Sequence, residues 1–494
     1  MSSPRTLVIG SGVGGLAAAI ELAAAGQDVT VLERAAEPGG KMRQLPVGGR
    51  GVDSGPTVFT MRWIFDALLA AGGTTLEESL SLHEADVLAR HAWRQGGVLD
   101  LFASTARSAE AIEAFSDRAN AQGYLDFCKR SAAIYATLRE PYIASPRPGM
   151  LELVRRVGFR RLDEMWRTAP FSTLWSALDQ HFTDPRLRQL FGRYATYVGS
   201  SPMKAPATLM LIAHVEQEGV WLVDGGMRAV AAALREVAEG LGAKFEFECG
   251  VRRLCIDGER IEGVITDAGA VVAADRIVYN GDISALGTGM LGDAARRAVK
   301  AVPPKCRALS AITFSVLAES TGLPLHYHNV FFDEDYAQEF AAIFDRGEIR
   351  EKPTVYVCAQ DRAAGAIPEG LERLLLLINA PADGDQLVRD AAMLEAYRDR
   401  ALDLMAACGS KLRFTDDHCV TTDPMRFEAR FPGSGGSLYG RANHGPMASF
   451  ARPGARSGVP GLYLAGGSVH PGAGVPMSAM SGRLAAAALL EDVA

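Results

Sequence analysis

The sequence predicts an α/β protein in which a parallel sheet is assembled from separate parts of the chain and an α+β domain is inserted between them. Three observations support this class. The chain begins with a strand, a glycine-rich turn and a helix, mixed strands and helices return between residues 220 and 300, and a second strand–glycine–helix pattern follows residue 455. With 494 residues, the chain is long enough for more than one hydrophobic core.

The first element is a strand–turn–helix unit of the kind that binds dinucleotides. The apolar run Leu7–Ile9 has the length of a buried parallel strand, and the pattern G-x-G-x-x-G follows it at Gly10, Gly12 and Gly15. Gly10 permits the tight turn, Gly12 lets the backbone approach a pyrophosphate, and Gly15 lets the helix pack closely on the strand. The N-terminus of the helix then offers unpaired N–H groups to the phosphates.

An acidic residue and a second glycine pair indicate which dinucleotide binds. Glu33 ends the second strand, Val29–Leu32, where it can accept hydrogen bonds from both ribose hydroxyls of an adenosine and repel the 2′-phosphate of NADP. Gly39, Gly40 and Lys41 follow in the pattern E-R-x-x-x-x-G-G-K. A second glycine pair at this spacing suits the flavin-side phosphate of FAD and has no use in NAD enzymes. We therefore predict FAD, with an ordinary Pro-Gly-Gly turn as the alternative interpretation.

The composition argues against several classes of protein. The formal net charge of −7 gives no general attraction to nucleic acid. Seven scattered cysteines without a C-x-x-C pair argue against a disulfide framework and a zinc site, and favour a reducing compartment. His326 and His328 form the one close histidine pair and lack a third ligand at metal spacing, so no metal site is predicted. No uncharged run reaches about 18 apolar residues, so any membrane contact is expected to be peripheral.

The middle of the chain predicts the inserted domain. We expect a helix at 62–71, short strands over 76–102 and mainly helices over 106–214, followed by the strands of a second sheet between 308 and 380. Five arginines lie among aromatic residues, and they indicate either a membrane-surface segment or a solvated helix face: Arg155, Arg156, Arg160, Arg161 and Arg167.

The dinucleotide-binding domain is expected to resume twice. Residues 221–227 are predicted to form a turn, followed by a helix, a strand and a hairpin, in which Val251 would contact the adenine through its backbone. Near the end, a strand stops at the glycine pair before Ser468, and a helix of small residues begins near Met477. The N-terminus of that helix can stabilise negative charge on a reduced flavin.

These patterns predict a discontinuous Rossmann-like FAD-binding domain with an inserted α+β substrate domain. The FAD-binding domain is assigned to residues 1–80, 220–300 and 455–494, and the substrate domain to residues 81–219, which include the membrane-facing candidate, and 301–454. The predicted cofactor contacts are spread over all three FAD-binding segments: Gly10, Gly12, Gly15, Glu33, Gly40, Lys41, Pro56, Thr57, Val251, Gly467, Ser468, Val475 and Met477.

Three motifs carry a family resemblance. The N-terminal fingerprint through Lys41, the turn D-S-G-P-T at Asp53–Thr57 and the run L-Y-L-A-G-G-S-V-H-P-G-A-G-V-P at Leu462–Pro476 together resemble bacterial carotenoid desaturases of the phytoene-desaturase type. The resemblance covers the whole chain. Within that family, the segments at Val198–Pro202 and Ser437–His444 are similar to the hydroxyneurosporene (methoxyneurosporene) desaturases.

The resemblance implies an FAD-dependent oxidoreductase acting on CH–CH groups, which introduces a C-3,4 double bond into 1-hydroxycarotenoids of spheroidene-type biosynthesis in photosynthetic bacteria. It implies a carotenoid substrate, a cytoplasmic location at the surface of the inner membrane, and quinone or oxygen as the electron acceptor. Three alternatives stay open: a phytoene desaturase, a flavin oxidase of the amine-oxidase or protoporphyrinogen-oxidase type, and a flavin-binding carotenoid carrier. Ser468 stands where many FAD enzymes have an aspartate for the ribityl chain, so the ribityl contacts are unassigned.

The sequence assigns no catalytic residue. Loss of a hydride from an allylic carbon leaves a cation whose neighbouring proton is acidic, so placement and a weak base suffice. A hydroxylated substrate end needs one buried hydrogen-bond partner. The candidates for either role, each more often structural than catalytic, are His214, Glu216, Asp224 and His444.

Overall fold

The computed structural model describes residues 5–158 and 171–494, and the strands in this part of the chain form two large sheets and three smaller ones. In chain order the strands are β1 Arg5–Ile9, β2 Asp28–Leu32, β3 Gln44–Val47, β4 Arg50–Asp53, β5 Leu82–Glu84, β6 Val87–Trp93, β7 Val98–Phe102, β8 Trp221–Val223, β9 Lys244–Glu246, β10 Val251–Asp257, β11 Arg260–Thr266, β12 Val271–Ala273, β13 Arg276–Tyr279, β14 Ser310–Gly322, β15 His328–Phe332, β16 Val355–Ala359, β17 Glu372–Ala380, β18 Ser410–Arg413, β19 Cys419–Thr422 and β20 Leu462–Leu464. The α-helices are Val13–Ala24, Arg62–Ala71, Leu76–Ser79, Thr105–Phe115, Arg118–Leu138, Met150–Val157, Leu174–Leu178, Pro185–Gly192, Leu211–Gln217, Met227–Gly240, Ile283–Gly287, Tyr336–Ala341, Ala391–Ala407, Pro424–Arg430 and Val475–Glu491.

The first large sheet is parallel and collects strands from distant parts of the chain. Its order is β20-β13-β1-β2-β9, and every pairing in it is parallel. The apolar residues of β1 are buried without alternation, as expected for a parallel strand that is covered on both faces. The chain leaves this sheet after β2, returns at β9 and β13, and returns again at β20. The predicted discontinuous Rossmann-like fold is therefore confirmed.

The helices beside this sheet bring the two ends of the chain together. The helix Val13–Ala24 packs against the C-terminal helix Val475–Glu491 within one hydrophobic core. A Cβ atom on Gly482 would lie 2.0 Å from the carbonyl oxygen of Gly14, so the helices approach more closely than a larger side chain allows. This contact places the last helix next to the first glycine-rich turn.

The second large sheet belongs to the inserted α+β domain. Its order is β18-β14-β17-β16-β15-β6-β7, with β19 also paired to β14. The pairing of β15 with β6 is parallel, and the other pairings are antiparallel. The helices Thr105–Phe115, Arg118–Leu138, Leu174–Leu178, Pro185–Gly192 and Leu211–Gln217 share a hydrophobic core with β6, β7 and β15. Two separate stretches of the chain therefore build this domain.

Two stretches differ from the sequence prediction, whereas the helix expected at 62–71 is observed as Arg62–Ala71. Leu76–Ser79, where strands were expected to begin, is one helical turn because Thr75 and Glu78 form a capping box at its start. Trp221–Val223, expected as part of a turn, is β8 and pairs with β5.

The arginine- and aromatic-rich stretch lies mostly outside the described residues. Arg160, Arg161 and Arg167 fall there. The two earlier arginines of this stretch lie on the helix Met150–Val157, where both pair with Glu152. None of the helices in the described residues combines the length and the apolar composition that a membrane span requires.

Candidate functional site

One large cavity of about 1940 Å³ is lined by residues of both domains. Ordinary ligand pockets hold roughly 300–1,000 Å³, so this cavity has room for a dinucleotide and a second, long ligand. The nucleotide half is the part lined by the loops of the parallel-sheet domain, at residues 9–10, 12–14, 32–45, 249–252, 279–282, 466–468 and 471–478. The substrate half is the part lined by the inserted domain, which includes Arg193, Leu209, Val330, Tyr336 and Tyr356.

The glycine-rich turn after β1 forms one wall of the nucleotide half. Gly10 has a φ of +94°, which glycine adopts without strain. A Cβ atom on Gly12 would lie 2.9 Å from the Nδ2 atom of Asn280, so a side chain here would crowd the phosphate path. Gly15 lies outside the cavity lining, and a Cβ atom there would lie 2.0 Å from the carbonyl oxygen of Gly10. This geometry fits the role predicted for each glycine.

Glu33 lines the cavity at the end of β2 and is 6% exposed. Its Oε2 atom accepts hydrogen bonds from the backbone N–H of Ser11 at 2.7 Å and from the Ser11 hydroxyl at 2.8 Å. Its Oε1 atom accepts one from the backbone N–H of Ala35 at 2.8 Å. Because a carboxylate offers about four acceptor positions, one position is left for a ligand. The protein thus leaves one acceptor position of Glu33 free, and its contact with the ribose stays a prediction.

The second glycine pair brings a cation to the cavity wall. Gly40 has a φ of +58°, and the next residue, Lys41, donates from Nζ to the carbonyl oxygen of Leu438 at 2.8 Å. Lys41 has no carboxylate within ion-pair distance in the described part of the chain. Burial lowers the pKa of Lys41, and the negative charge of Asp282 opposes that shift. A cation without an ion-pair partner suits an anionic ligand such as a pyrophosphate.

The D-S-G-P-T turn connects the two halves of the cavity. A Cβ atom on Gly55 would lie 1.8 Å from the carbonyl oxygen of Lys41, so glycine is required where the turn meets the second glycine pair. Pro56 and Thr57 line the cavity. The hydroxyl of Thr57 lies 2.6 Å from the hydroxyl of Tyr356, which belongs to the substrate half.

The other predicted cofactor contacts also line the nucleotide half, and they are Val251, Gly467, Ser468, Val475 and Met477. The last helix begins at Val475, so its unpaired N–H groups lie at the cavity wall. The Ser468 hydroxyl oxygen accepts a hydrogen bond from the backbone N–H of Ile283 at 3.2 Å. The side chain that replaces the expected aspartate is thus engaged within the protein.

Two buried side chains hold the C-terminal loop. Arg452 is 1% exposed and donates to the carbonyl oxygens of Gly467 at 2.6 Å, Tyr439 at 3.0 Å and Arg441 at 2.8 Å, while burial lowers its pKa to about 10. His470 donates from Nε2 to two backbone carbonyl oxygens at 2.9 and 3.0 Å, and burial lowers its pKa to about 4. The loop between the last strand and the last helix is therefore fixed by side chains as well as by its glycines.

Three of the four side chains considered as base or hydroxyl partner have structural surroundings, and none of the four lines the cavity. His214 faces Glu218 across 3.7 Å, and Asp224 is exposed and pairs with His83 at 3.1 Å. His444 accepts a backbone N–H at Nε2 across 3.0 Å, and burial lowers its pKa to about 4.

The fourth candidate, Glu216, lies directly behind the cavity wall. It is 5% exposed and accepts a hydrogen bond from the Tyr194 hydroxyl at 2.7 Å and another from the Tyr197 hydroxyl. Tyr197 and Arg193, whose Nη2 atom lies 4.0 Å from Glu216, both line the cavity. Glu216 therefore orients groups that face the substrate half without facing it itself.

The two halves of the cavity differ in charge. Among the described lining residues, the carboxylates are Glu33, Glu37, Asp267 and Asp282, and all four belong to loops of the parallel-sheet domain. The substrate half has many apolar lining residues, such as Ile143, Leu209, Ile212, Val215, Val330, Leu375 and Leu377. The described lining of that half therefore offers a cationic substrate no counter-charge, whereas it favours a long hydrocarbon.

Sequence reasoning missed several groups at this site. Asn280 donates from Nδ2 to the carbonyl oxygen of Gly10 at 3.2 Å, and Asp282 lines the cavity beside it. Their N-G-D turn directly follows β13, which was a usable signal. Arg193 and Tyr336 have no motif around them, because the packing of distant segments brings them to the cavity.

Comparison with known proteins defines the class to which this fold and site belong. The model of the family "flavin containing amine oxidoreductase" matches residues 13–490. An oxidoreductase from Methanosarcina mazei, 16% identical in sequence, has a TM-score of 0.60 over 99% of this chain and 100% of that chain, which supports the fold. The chain belongs to the family of flavin-containing amine oxidoreductases. Its cofactor is FAD, and the glycine turns, Lys41 and the helix N-termini fit that group.

Two relatives place the chain more narrowly within this class. A hydroxyneurosporene desaturase of Rubrivivax gelatinosus is 52% identical over 488 residues, which are 98% of this chain and 93% of that protein. A hydroxyneurosporene desaturase of Rhodobacter capsulatus is 42% identical over 492 residues, which are 99% of this chain and 98% of that protein. The resemblance to carotenoid desaturases predicted from the sequence is therefore confirmed.

Proposed function

We propose that this protein is an FAD-dependent carotenoid desaturase that introduces the C-3,4 double bond into 1-hydroxycarotenoids such as hydroxyneurosporene. One observation carries the proposal: the nucleotide half of the cavity opens directly into a largely apolar substrate half without a lining carboxylate among the described residues. A long polyene gains free energy when such a surface replaces water. The similarity to hydroxyneurosporene desaturases supports the same substrate class.

The chain contributes mainly placement and electrostatics to this reaction. FAD, when bound, supplies the hydride acceptor. The apolar walls of the substrate half exclude water and hold the C–C bond beside the cofactor. Lys41 and the N-terminus of the helix Val475–Glu491 favour negative charge in the nucleotide half. The second hydrogen leaves as a proton from the carbon next to an allylic cation, so a weak base suffices.

Two experiments test the reaction. Anaerobic mixing of the FAD-loaded protein with hydroxyneurosporene should bleach the flavin absorbance and shift the polyene absorbance to the red.

Expression in cells that accumulate either phytoene or hydroxyneurosporene should convert only the second pigment. Conversion of phytoene alone would favour the phytoene desaturase alternative. Binding of the carotenoid with no flavin reduction would favour a carrier.

The amine-oxidase alternative is disfavoured by the same charge distribution, and the protoporphyrinogen-oxidase alternative is disfavoured by the similarity to hydroxyneurosporene desaturases. A protonated amine would need a carboxylate as its counter-charge, whereas the charged side chains that the described part of the inserted domain adds to the cavity lining are cations, Arg193, Arg426 and Arg430. Turnover of simple amines under conditions where carotenoids leave the flavin oxidised would reverse this preference.

We also infer that the cavity entrance contacts the inner membrane from the cytoplasmic side. Exposed apolar side chains surround one end of the cavity: Met150 is 40%, Leu151 86%, Phe171 68% and Met447 49% exposed. Met150, Phe171 and Met447 also line the cavity. An apolar rim of this kind lets a lipid-dissolved substrate pass from the bilayer into the protein without crossing water.

A matched pair of variants tests the membrane contact. Leu151→Asp should lower sedimentation with anionic lipid vesicles and slow turnover of vesicle-borne substrate, while turnover in detergent is retained. Ile367 is 82% exposed and is not part of the cavity lining, so Ile367→Asp is the control. It should change neither the sedimentation with vesicles nor the turnover of vesicle-borne substrate. Equal losses for both variants would exclude a specific rim.

The electron acceptor belongs to this proposal as well. A membrane-bound entrance makes a lipid quinone the natural acceptor, and molecular oxygen is the other candidate. Stopped-flow reoxidation of the reduced protein by a short-chain quinone or by dissolved oxygen distinguishes them by rate.

A further inference from the structure

A buried polar cluster lies at the wall of the substrate half. Arg193 is 7% exposed, and its Nη1 atom donates to the hydroxyl of Tyr197 at 3.2 Å. Glu216 accepts hydrogen bonds from the hydroxyls of Tyr194 and Tyr197, and its Oε1 atom lies 4.0 Å from Nη2 of Arg193. Glu216 therefore balances the guanidinium charge from behind the wall, while Arg193 faces the cavity.

Three polar atoms of side chains that line the substrate half lack a hydrogen-bond partner among the described residues. They are Nε and Nη2 of Arg193 and the hydroxyl oxygen of Tyr336, a residue that is 4% exposed. Arg193 and Tyr336 both line the substrate half. Buried guanidinium and phenol groups are nearly always hydrogen-bonded, because an unpaired buried donor costs free energy. These atoms therefore call for an acceptor inside the cavity.

The charges around Arg193 indicate an uncharged acceptor. Burial acts to lower the pKa of Arg193, but Tyr197 and Glu216 outweigh that effect and raise the pKa above its ordinary value. The guanidinium therefore stays charged, and Glu216 already serves as its counter-ion. A second anion would be desolvated there without a free cation to compensate it. Neutral hydroxyl and ether oxygens accept hydrogen bonds from N–H groups, so either one fits.

The position of the cluster matches the chemistry of a 1-oxygenated carotenoid. The hydroxyl of Thr57, a predicted FAD contact, lies 2.6 Å from the hydroxyl of Tyr356. The same Tyr356 hydroxyl lies 2.7 Å from Nδ1 of His328. Tyr356 lines the same half of the cavity as Arg193 and Tyr336. The C-1 oxygen and the C-3,4 bond of such a substrate are only roughly 4–5 Å apart, since few covalent bonds separate them. A group that binds this oxygen must therefore lie near the flavin.

We propose that Arg193, positioned by Glu216 and assisted by Tyr336, binds the C-1 oxygen of the carotenoid end group and selects oxygenated over unoxygenated substrates. Arg193 and Tyr336 contact the substrate, and Glu216 acts through Arg193. The contact is a hydrogen bond, so no covalent bond forms or breaks at it. This inference rests on the proposed carotenoid desaturase function.

The test compares two substrates that differ only in this oxygen, hydroxyneurosporene and neurosporene. Anaerobic flavin reduction gives kcat/KM for each, and titration of the carotenoid absorbance shift gives its Kd. The wild type should prefer the hydroxylated compound by roughly 10- to 100-fold. Arg193→Gln should bring this ratio close to one, mainly by loss on the hydroxylated compound. Tyr336→Phe should lower the ratio several-fold, because it deletes only a hydroxyl for which the described part of the chain supplies no partner.

The matched control is Tyr463→Phe. Tyr463 is 5% exposed and its hydroxyl donates to Asp492 at 2.8 Å, away from the cavity lining, so the substrate ratio should stay at the wild-type value. FAD content and thermal unfolding report whether each variant is folded. If Arg193→Gln fails to fold, Tyr336→Phe decides the question alone.

The outcomes separate this inference from the function on which it rests. A wild type that desaturates neither carotenoid overturns the proposed function. A wild type that desaturates hydroxyneurosporene while the Arg193 and Tyr336 variants keep its substrate ratio leaves the proposed function standing and overturns the inference. A wild type that treats the two carotenoids equally also overturns the inference.

Discussion

The two halves of the cavity recognise their ligands by different means. The nucleotide half uses backbone atoms, glycines and helix N-termini, supported by Glu33 and Lys41. The substrate half uses side chains from distant segments, and it combines apolar walls with the buried pair of Arg193 and Glu216. One half is adapted to a charged, hydrogen-bonding ligand, and the other to a hydrocarbon with one polar end.

This difference decides where a substitution matters. In the nucleotide half the backbone itself must come close to the phosphates, so an added Cβ atom is harmful even when polarity is unchanged. In the substrate half the backbone is remote, and the pattern of charge and hydrogen-bond donors determines the substrate. The predictions below test this contrast, beginning with the largest expected effect.

The largest effect is expected for Gly12→Ala. The added Cβ atom would lie 2.9 Å from the Asn280 side chain and would crowd the phosphate path. FAD affinity should fall by about 100-fold, which corresponds to about 2.7 kcal/mol. Equilibrium dialysis of the apoprotein with FAD measures this affinity. Gly240→Ala is the control, because a Cβ atom at Gly240 meets nothing within 4 Å. Equal FAD affinity in both variants would contradict backbone recognition.

The same contrast explains what the sequence could predict. Backbone recognition demands glycine at fixed spacings, so the amino-acid sequence by itself marks Gly10, Gly12 and Gly40 as parts of motifs. Each motif also includes its own strand and helix, so local periodicity supports it. The parallel sheet and the order of its segments followed from these local units.

The substrate half lacked such a signal. Arg193 and Tyr336 are separated by more than a hundred residues, and only tertiary packing brings both to the lining of one cavity. Sequence periodicity shows only that a polar residue occupies a core position. It does not show which cavity that residue faces. Of the four side chains chosen for chemical type alone, Glu216 lies beside the site, whereas His214, Asp224 and His444 are held by structural partners.

The second-largest effect is expected for Glu216→Gln. The comparison is Asp224→Asn, since Glu216 lies behind the wall of the substrate half and Asp224 lies at the surface. Glu216→Gln leaves the buried Arg193 without a counter-charge, so the free energy of unfolding should fall by about 3 kcal/mol and turnover should drop at least tenfold. Asp224→Asn removes only a surface pair with His83 and should cost about 0.5 kcal/mol or less. Urea denaturation and flavin-reduction rates measure both variants. If both variants lowered the free energy of unfolding by similar amounts, the buried charge of Arg193 would not depend on Glu216.

Lys41→Met should have effects of opposite sign on the apoprotein and on the FAD complex. In the apoprotein the substitution removes a desolvated ammonium that has no ion-pair partner among the described residues, so the free energy of unfolding should rise by about 1 kcal/mol. With FAD the same variant should lose roughly tenfold in affinity, because the cation faces the anionic ligand. Thermal unfolding with and without FAD measures both effects.

The pH dependence of the apoprotein sharpens this test. The pKa of Lys41 is lower in the folded state than its ordinary value of 10.5, so the unfolded chain binds more protons in the window between the two values. Stability of the wild-type apoprotein should therefore rise with pH through that window, relative to Lys41→Met. A variant that lowers apoprotein stability at all pH values would show that Lys41 is paired in the absence of FAD.

The smallest effect on catalysis is expected for His444→Gln, although this residue lies within a motif of the family resemblance. Its Nε2 atom accepts the backbone N–H of Ser201 at 3.0 Å, and glutamine can accept the same hydrogen bond through Oε1. Turnover should stay within about twofold of the wild type, since a side chain outside the cavity lining contributes packing rather than chemistry.

The acid stability of the same variant should nevertheless change. Burial lowers the pKa of His444 from 6.5 to about 4, so between these values the unfolded chain binds the extra proton and the folded state loses stability as the pH falls. In urea denaturation between pH 7 and pH 4, the wild type should lose about 1–2 kcal/mol relative to His444→Gln, after allowance for its partial exposure. A tenfold loss of turnover with an unchanged pH profile would instead place His444 in the chemistry. Side chains outside the cavity lining would then take part in the reaction, and the lining alone would not identify them.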